Sequence, residues 1–190
     1  MGMTTIVSDI WNKIKGTVNK EGYFIVIRSA HERIHQGVAY SLAVSTSDLD
    51  TNPIRFSFTT NSKEVGLRVS AHASGEAALE KREAPTGGVA NGSDSEAVNR
   101  NRCKTHLKSS LSSTLASLLG SITVGATAGT GGTVIATDTL GVGKTTSLGT
   151  NLDEAEWVLA ANTIYVISLT SSTNAIIATL TLMWHETEED

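Results

Sequence analysis

The apolar positions of this chain change period near Tyr23. Before it, Ile6, Ile10, Ile14 and Val18 recur every four residues, with Trp11 beside Ile10 and Lys13 and Lys15 facing away, which predicts a short amphipathic helix or arm ending at Gly16 or Gly22. After it the period is two. YFIVIRS is followed by VAYSLAVS, in which Val38, Tyr40, Leu42 and Val44 share a face; then come Ile54, Phe56 and Phe58, and next Val65, Leu67, Val69 and Ala71. Ser, Asp, Asn, Pro or Gly separates each set, and short alternating runs between turn residues predict an all-β sandwich or barrel. Ala77 to Glu83 reads as a further strand. The most regular stretch closes the chain: Tyr165, Ile167 and Leu169, a polar break at Ser171 to Asn174, then Ile176, Ala178, Leu180, Leu182 and Trp184 on one face. This pattern predicts a β-hairpin, and a ribbon with one apolar face needs a second sheet to cover it.

Between these runs the pattern weakens. PTGGVANGSDSEAVNRNR, from Pro85 to Arg102, reads as a long surface loop. From Thr105 to Leu119 the leucines fit a helix or a strand, and the density of Ser and Thr favours a strand. Gly120 to Asn151 reads as short strands, at Ile122 to Val124 and Val134 to Ala136, joined by pliable Gly/Thr loops. The expected organisation is an N-terminal arm or short helix over 1–22 and one antiparallel β-sandwich or jelly roll over 23–190.

Composition supports this reading. About a quarter of the 190 residues are Ser or Thr, while only 18% are charged, which suits strands with neutral polar outer faces. A formal net charge of -4 argues against nucleic acid as a partner. Cys103 stands alone, so an intramolecular disulfide and a Cys-rich metal site are both excluded. MGMTTIVSDIW lacks the features of a secretion signal, Ile6 stands where myristoylation requires Ser or Thr, and no apolar run reaches the roughly 20 residues of a membrane span. The expectation is a soluble product made in the cytoplasm.

Two motifs promise chemistry. His31, Glu32 and His35 spell H-E-x-x-H, which on a helix directs two imidazoles to one metal ion. Here the flanking runs alternate and Gly37 follows closely, so the expectation is a connection between strands whose histidines hydrogen-bond locally or contact a neighbour. The longer metzincin form fails at Val38 and Ser41. Gly141, Gly143, Lys144 and Thr145 evoke a phosphate loop, but Asp138 stands where its first glycine belongs, and a carboxylate there repels a nucleotide. No catalytic residue, cofactor site or metal ligand is therefore assigned. Arg100 and Arg102, with Lys104 and Lys108, form a small cationic cluster expected at a subunit or partner contact. The tail Glu186, Glu188, Glu189 and Asp190 reads as solubilising.

HERIHQGVAYSLAVS, IRFSFTT, the LEKREAPTGG ending, the NRNR loop and NTIYVISLTSSTNAIIATLTLMWHE together resemble a group of small virion proteins of tailed bacteriophages. The resemblance runs from about Tyr23 to Glu186 and leaves out the first 20 or so residues. It implies a β-sandwich or jelly-roll cement or decoration subunit on the capsid exterior, binding the major capsid protein as a homo-oligomer, often a trimer. A lattice protein of this kind gains avidity from many modest contacts and needs no reactive centre. On that reading Ile6, Ile10, Trp11 and Ile14 are expected to contact capsid or a sister subunit. The rival readings are a tail-fibre or receptor-binding module that touches host glycans through the Gly/Thr loops, and a zinc hydrolase built on the H-E-x-x-H motif.

Overall fold

The fold follows from alternation that the sequence displays openly and from one segment that breaks it. In a computed structural model, residues 17–18, 24–25, 29–86, 91–140 and 156–187 are described. Two short strands, β1 (Thr17–Val18) and β2 (Phe24–Ile25), pair with each other ahead of a helix, α1 (Ser29–Gln36). There follow β3 (Ala39–Thr46), β4 (Ile54–Thr59), β5 (Glu64–Ala73), β6 (Ala77–Glu83), β7 (Ser93–Glu96) and β8 (Val98–Asn99). The chain continues with β9 (Ser112–Ser113), β10 (Ser121–Val124), β11 (Thr133–Leu140), β12 (Trp157–Leu159), β13 (Ile164–Thr170) and β14 (Ala178–Thr187).

Among the described residues every pairing is antiparallel, and the strands form two main sheets. One runs β11-β6-β13-β4-β10-β7, with β9 also paired to β4; the other runs β12-β5-β14-β3-β8. The architecture is the expected all-β sandwich. Phe56, Phe58, Leu79, Tyr165, Ile167 and Leu169 face inward from the first sheet, and Tyr40, Leu67, Ala71, Leu180, Leu182 and Trp184 from the second, forming one core. Directly paired residues stack within each sheet: Tyr40 on Trp184 at 5.8 Å and Phe58 on Tyr165 at 5.9 Å between ring centroids. Such cross-strand aromatic pairs add about 0.5–1.5 kcal/mol beyond the area they bury. Lys81 of β6 points across the sandwich, its ammonium 5.3 Å from the Trp157 ring on β12.

The closing stretch is not a hairpin. β13 pairs with β4 and β6, whereas β14 pairs with β3 and β5, so the polar break carries the chain from one sheet to the other. Both strands have a strongly apolar face, and placing them in opposite layers lets those faces meet across the core. The supposed loop from Pro85 to Arg102 contains two short paired strands, β7 and β8. Thr105 to Leu119 is mainly irregular, with the two residues of β9 paired to β4 and Leu119 bridged to Ser112.

The irregular segment is held by side chains in place of a ladder. The buried Asn99 amide nitrogen faces the carbonyls of Gly37 at 2.8 Å, Leu107 at 3.1 Å and Lys104 at 3.2 Å. Glu186, only 3% exposed, accepts from Ser109 Oγ at 2.6 Å and from the Ser110 amide at 2.8 and 2.9 Å. It is therefore not part of a solvated tail, and positions 188–190 lie outside the described residues.

Candidate functional site

The H-E-x-x-H segment is a helix, which corrects the expectation of an irregular connection. The reason lies in Gly37, which ends the helix without preventing it. With φ at +81° it takes the left-handed conformation that favours glycine, its amide donates to the Ile34 carbonyl at 3.0 Å, and the Val38 amide donates to the Arg33 carbonyl at 3.2 Å. This double closure is a Schellman cap. Two further carbonyls of the last turn are also satisfied: Asn101 Nδ2 donates to His35 O at 3.0 Å and Lys104 Nζ to Gln36 O at 3.2 Å. Eight residues would be marginal as an isolated helix, and these contacts with the 99–107 segment supply what length does not.

The two faces of α1 carry different groups. Outward, the exposed His31 and His35 bring their Nε2 atoms to 2.9 Å, with ring centroids 4.6 Å apart and the rings edge to face. The local hydrogen bond between these histidines is thus as expected, although its scaffold is not. The Glu32 carboxylate accepts from Gln36 Nε2 at 3.4 Å along the same helix. No group of three or more His, Cys, Asp or Glu side chains suited to a metal ion occurs among the described residues.

Inward, Arg33 reaches an ionic cluster at the edge of the five-stranded sheet. Glu156, just ahead of β12, accepts from Arg68 Nη2 at 2.7 Å and Nε at 3.0 Å, from Arg33 Nη1 at 3.5 Å, and lies 3.2 Å from His185 Nε2. Arg33 Nη1 also contacts His185 Nε2. The tautomer of the ring decides whether Nε2 accepts from Arg33 or donates to Glu156. Burial, the nearby Arg33 and Arg68 charges, and only partial relief from Glu156 hold His185 at about 4, below its usual 6.5. Gly66 sits under this cluster, where a Cβ would enter the space of the His185 ring and the Glu156 carboxylate.

A second feature lies at the β9–β10 turn. Leu115, Leu118 and Leu119 are 48%, 53% and 55% exposed, yet the backbone beneath them is firmly tied. Ser113 Oγ accepts from the amides of Ala116 and Leu118, Thr123 Oγ1 accepts from Leu115, and the Ser113 amide donates to the Leu118 carbonyl at 3.1 Å. Both anchoring hydroxyl residues are almost fully buried, Ser113 at 1% and Thr123 at 0% exposure. Single exposed leucines are ordinary; three within five positions on a braced turn form an apolar patch.

The remaining expected residues separate. Arg100 and Arg102 line different cavities: Arg100 the small one beside Arg33, Arg68 and His185, and Arg102 an open one of about 300 Å³ with Glu96, Asn99, Leu107 and Lys108. Lys108 pairs with Glu96 at 3.5 Å and Lys104 caps α1, so two of the four cations already have partners. Ile6, Ile10, Trp11 and Ile14 lie outside the described residues, as do Gly141, Gly143, Lys144 and Thr145; Asp138 lies on β11, 3.8 Å from Lys81. The leucine patch was missed because the leucines from Thr105 to Leu119 fit a helix or a strand equally as one apolar face, whereas Leu111 is fully buried and Leu115, Leu118 and Leu119 are exposed.

The geometry defines the class: among the described residues, an antiparallel β-sandwich with a capped helix on its flank and an apolar turn exposed to solvent. No family model, curated protein or solved structure matches the chain.

Proposed function

We propose that this protein is a non-enzymatic structural subunit of a phage virion, of the cement or decoration type, that binds the major capsid protein on the outside of the shell as a homo-oligomer. The observation that carries the reading is the braced apolar turn of Leu115, Leu118 and Leu119. Its backbone conformation is already set, so docking those side chains into another protein costs little ordering entropy. A sandwich offers the rigid body such a lattice contact needs, and repetition over a shell converts modest contacts into avidity. The sequence resemblance supplies the virion setting.

The test has two arms. Quantitative mass spectrometry of purified particles is expected to give a copy number approaching that of the capsid lattice; a few copies per particle would assign the chain to a tail appendage. The Leu115→Ser/Leu118→Ser/Leu119→Ser variant, shown to be folded by its circular dichroism, is expected to lose capsid binding. Binding equal to wild type would reject the turn as the contact.

A further inference from the structure

We propose that His31 and His35 form a two-nitrogen chelate for a divalent transition-metal ion, with preference for Cu2+ and then Ni2+. The inference is independent of the capsid reading, since it rests on the outer face of α1 alone.

The Nε2 atoms of the two rings already lie side by side, 2.9 Å apart. Two nitrogens bound at about 2.0–2.1 Å to a single ion and separated by this distance subtend roughly 90° at the metal. That is the angle between neighbouring ligands in square-planar or tetragonal coordination, the preference of Cu2+ and Ni2+. A tetrahedral Zn2+ ion would want the same nitrogens several tenths of an ångström further apart. The intrinsic affinity order of divalent ions runs the same way, with Cu2+ at its head.

The scaffold is prepared for the ion. A chelate across one helical turn requires positions i and i+4 to stay on one face, and the Schellman closure at Gly37, with Asn101 and Lys104 on the final carbonyls, fixes the turn that carries His35. On the opposite face Arg33 ties the helix to Glu156 and His185, leaving both imidazoles exposed. In the metal-free protein one imidazole donates its Nε2–H to the other. On binding, that ring carries its proton on Nδ1 instead, so both Nε2 lone pairs face the ion and no net proton is released. Two coordination positions come from the protein and the others are open to water. Glu32 turns along the helix to Gln36, so the site has the spelling of a hydrolytic zinc motif with a different complement of donors.

The experiment uses the full untagged chain. Titration with NiCl2 by calorimetry is expected to give one ion per chain, and His31→Ala or His35→Ala is expected to weaken binding by about tenfold or more, because loss of one donor abolishes the chelate. His31→Gln, which keeps a polar side chain, is expected to fail equally. Cu2+ is tested in a Cys103→Ser background, since Cys103 is an exposed thiol. There, nitrogen hyperfine coupling in the electron paramagnetic resonance spectrum is expected from two imidazoles. His72→Ala and His106→Ala, at the other exposed histidines, are expected to bind as wild type does. Unchanged Ni2+ affinity in the His31→Ala/His35→Ala protein would overturn the proposal, as would loss of binding on replacing His72 or His106. A thermal upshift with NiCl2 in wild type that is absent in the double variant would support it, because an ion bound only by the folded helix stabilises the folded state.

Discussion

Acidification below neutrality should destabilise this protein through one residue, His185. Its ring is nearly enclosed between Arg33, Arg68 and Glu156, and burial with the two guanidinium charges lowers its pKa from 6.5 to about 4. In the unfolded chain the ring protonates near 6.5, so between these values the unfolded state binds the extra proton. Stability is therefore fully present above about pH 6.5, falls as pH drops, and levels off near pH 4 as far as this residue is concerned. A fall from 6.5 to about 4 corresponds to about 3 kcal/mol in total, of which about 2 kcal/mol is lost between pH 7 and pH 5. Urea unfolding at pH 7, 6 and 5 measures it, with His185→Gln as the comparison, since a side-chain carbonyl can still accept from Arg33 but does not titrate. The variant should be less pH-dependent than wild type by about 2 kcal/mol over that interval. Equal slopes for the two proteins would refute the assignment of a neutral, Arg33-bonded imidazole.

Three other perturbations read the same interior. Glu156→Gln removes the carboxylate that offsets Arg33 and Arg68, and because these groups are about a fifth to a third exposed the expected loss is about 2 kcal/mol, below the value for a fully buried pair; chemical denaturation checks it. Gly66→Ala should destabilise by about 1–3 kcal/mol through overpacking against His185 and Glu156, and its pH dependence should change with its midpoint, whereas an alanine placed elsewhere would move the midpoint alone. Glu186→Ala leaves the Ser109 hydroxyl and the Ser110 amide without their acceptor and should cost about 2–4 kcal/mol, with Trp184 fluorescence shifting to the red because its indole nitrogen lies 3.4 Å from the same carboxylate.

The layers were legible because burial obeys period two. Phe56 and Phe58, and then Leu180, Leu182 and Trp184, were placed on inward faces from alternation alone, and all five are buried. Partner choice was not legible. β13 and β14 are close in sequence and each apolar on one face, features shared by a hairpin and by strands facing each other across a sandwich. α1 was misread because Gly37 ends the helix without preventing it, and because Asn101 and Lys104, which complete its last turn, reach it from more than sixty residues away. Glu186 was misread for the same reason. Its charge suggested solvent, but the Ser109 and Ser110 donors that make its burial tolerable lie 77 and 76 positions earlier.

The rims of the two sheets bear on how copies of this protein can associate. Among the described residues β8 and β12 have two and three residues, and the one long rim, β11, is broken by a register shift between Val134 and Ala136 and carries Asp138. Short or interrupted rims give a second chain little backbone to zip onto. Along these described rims, pairing of one copy's backbone with another's is disfavoured, and association is left to side chains.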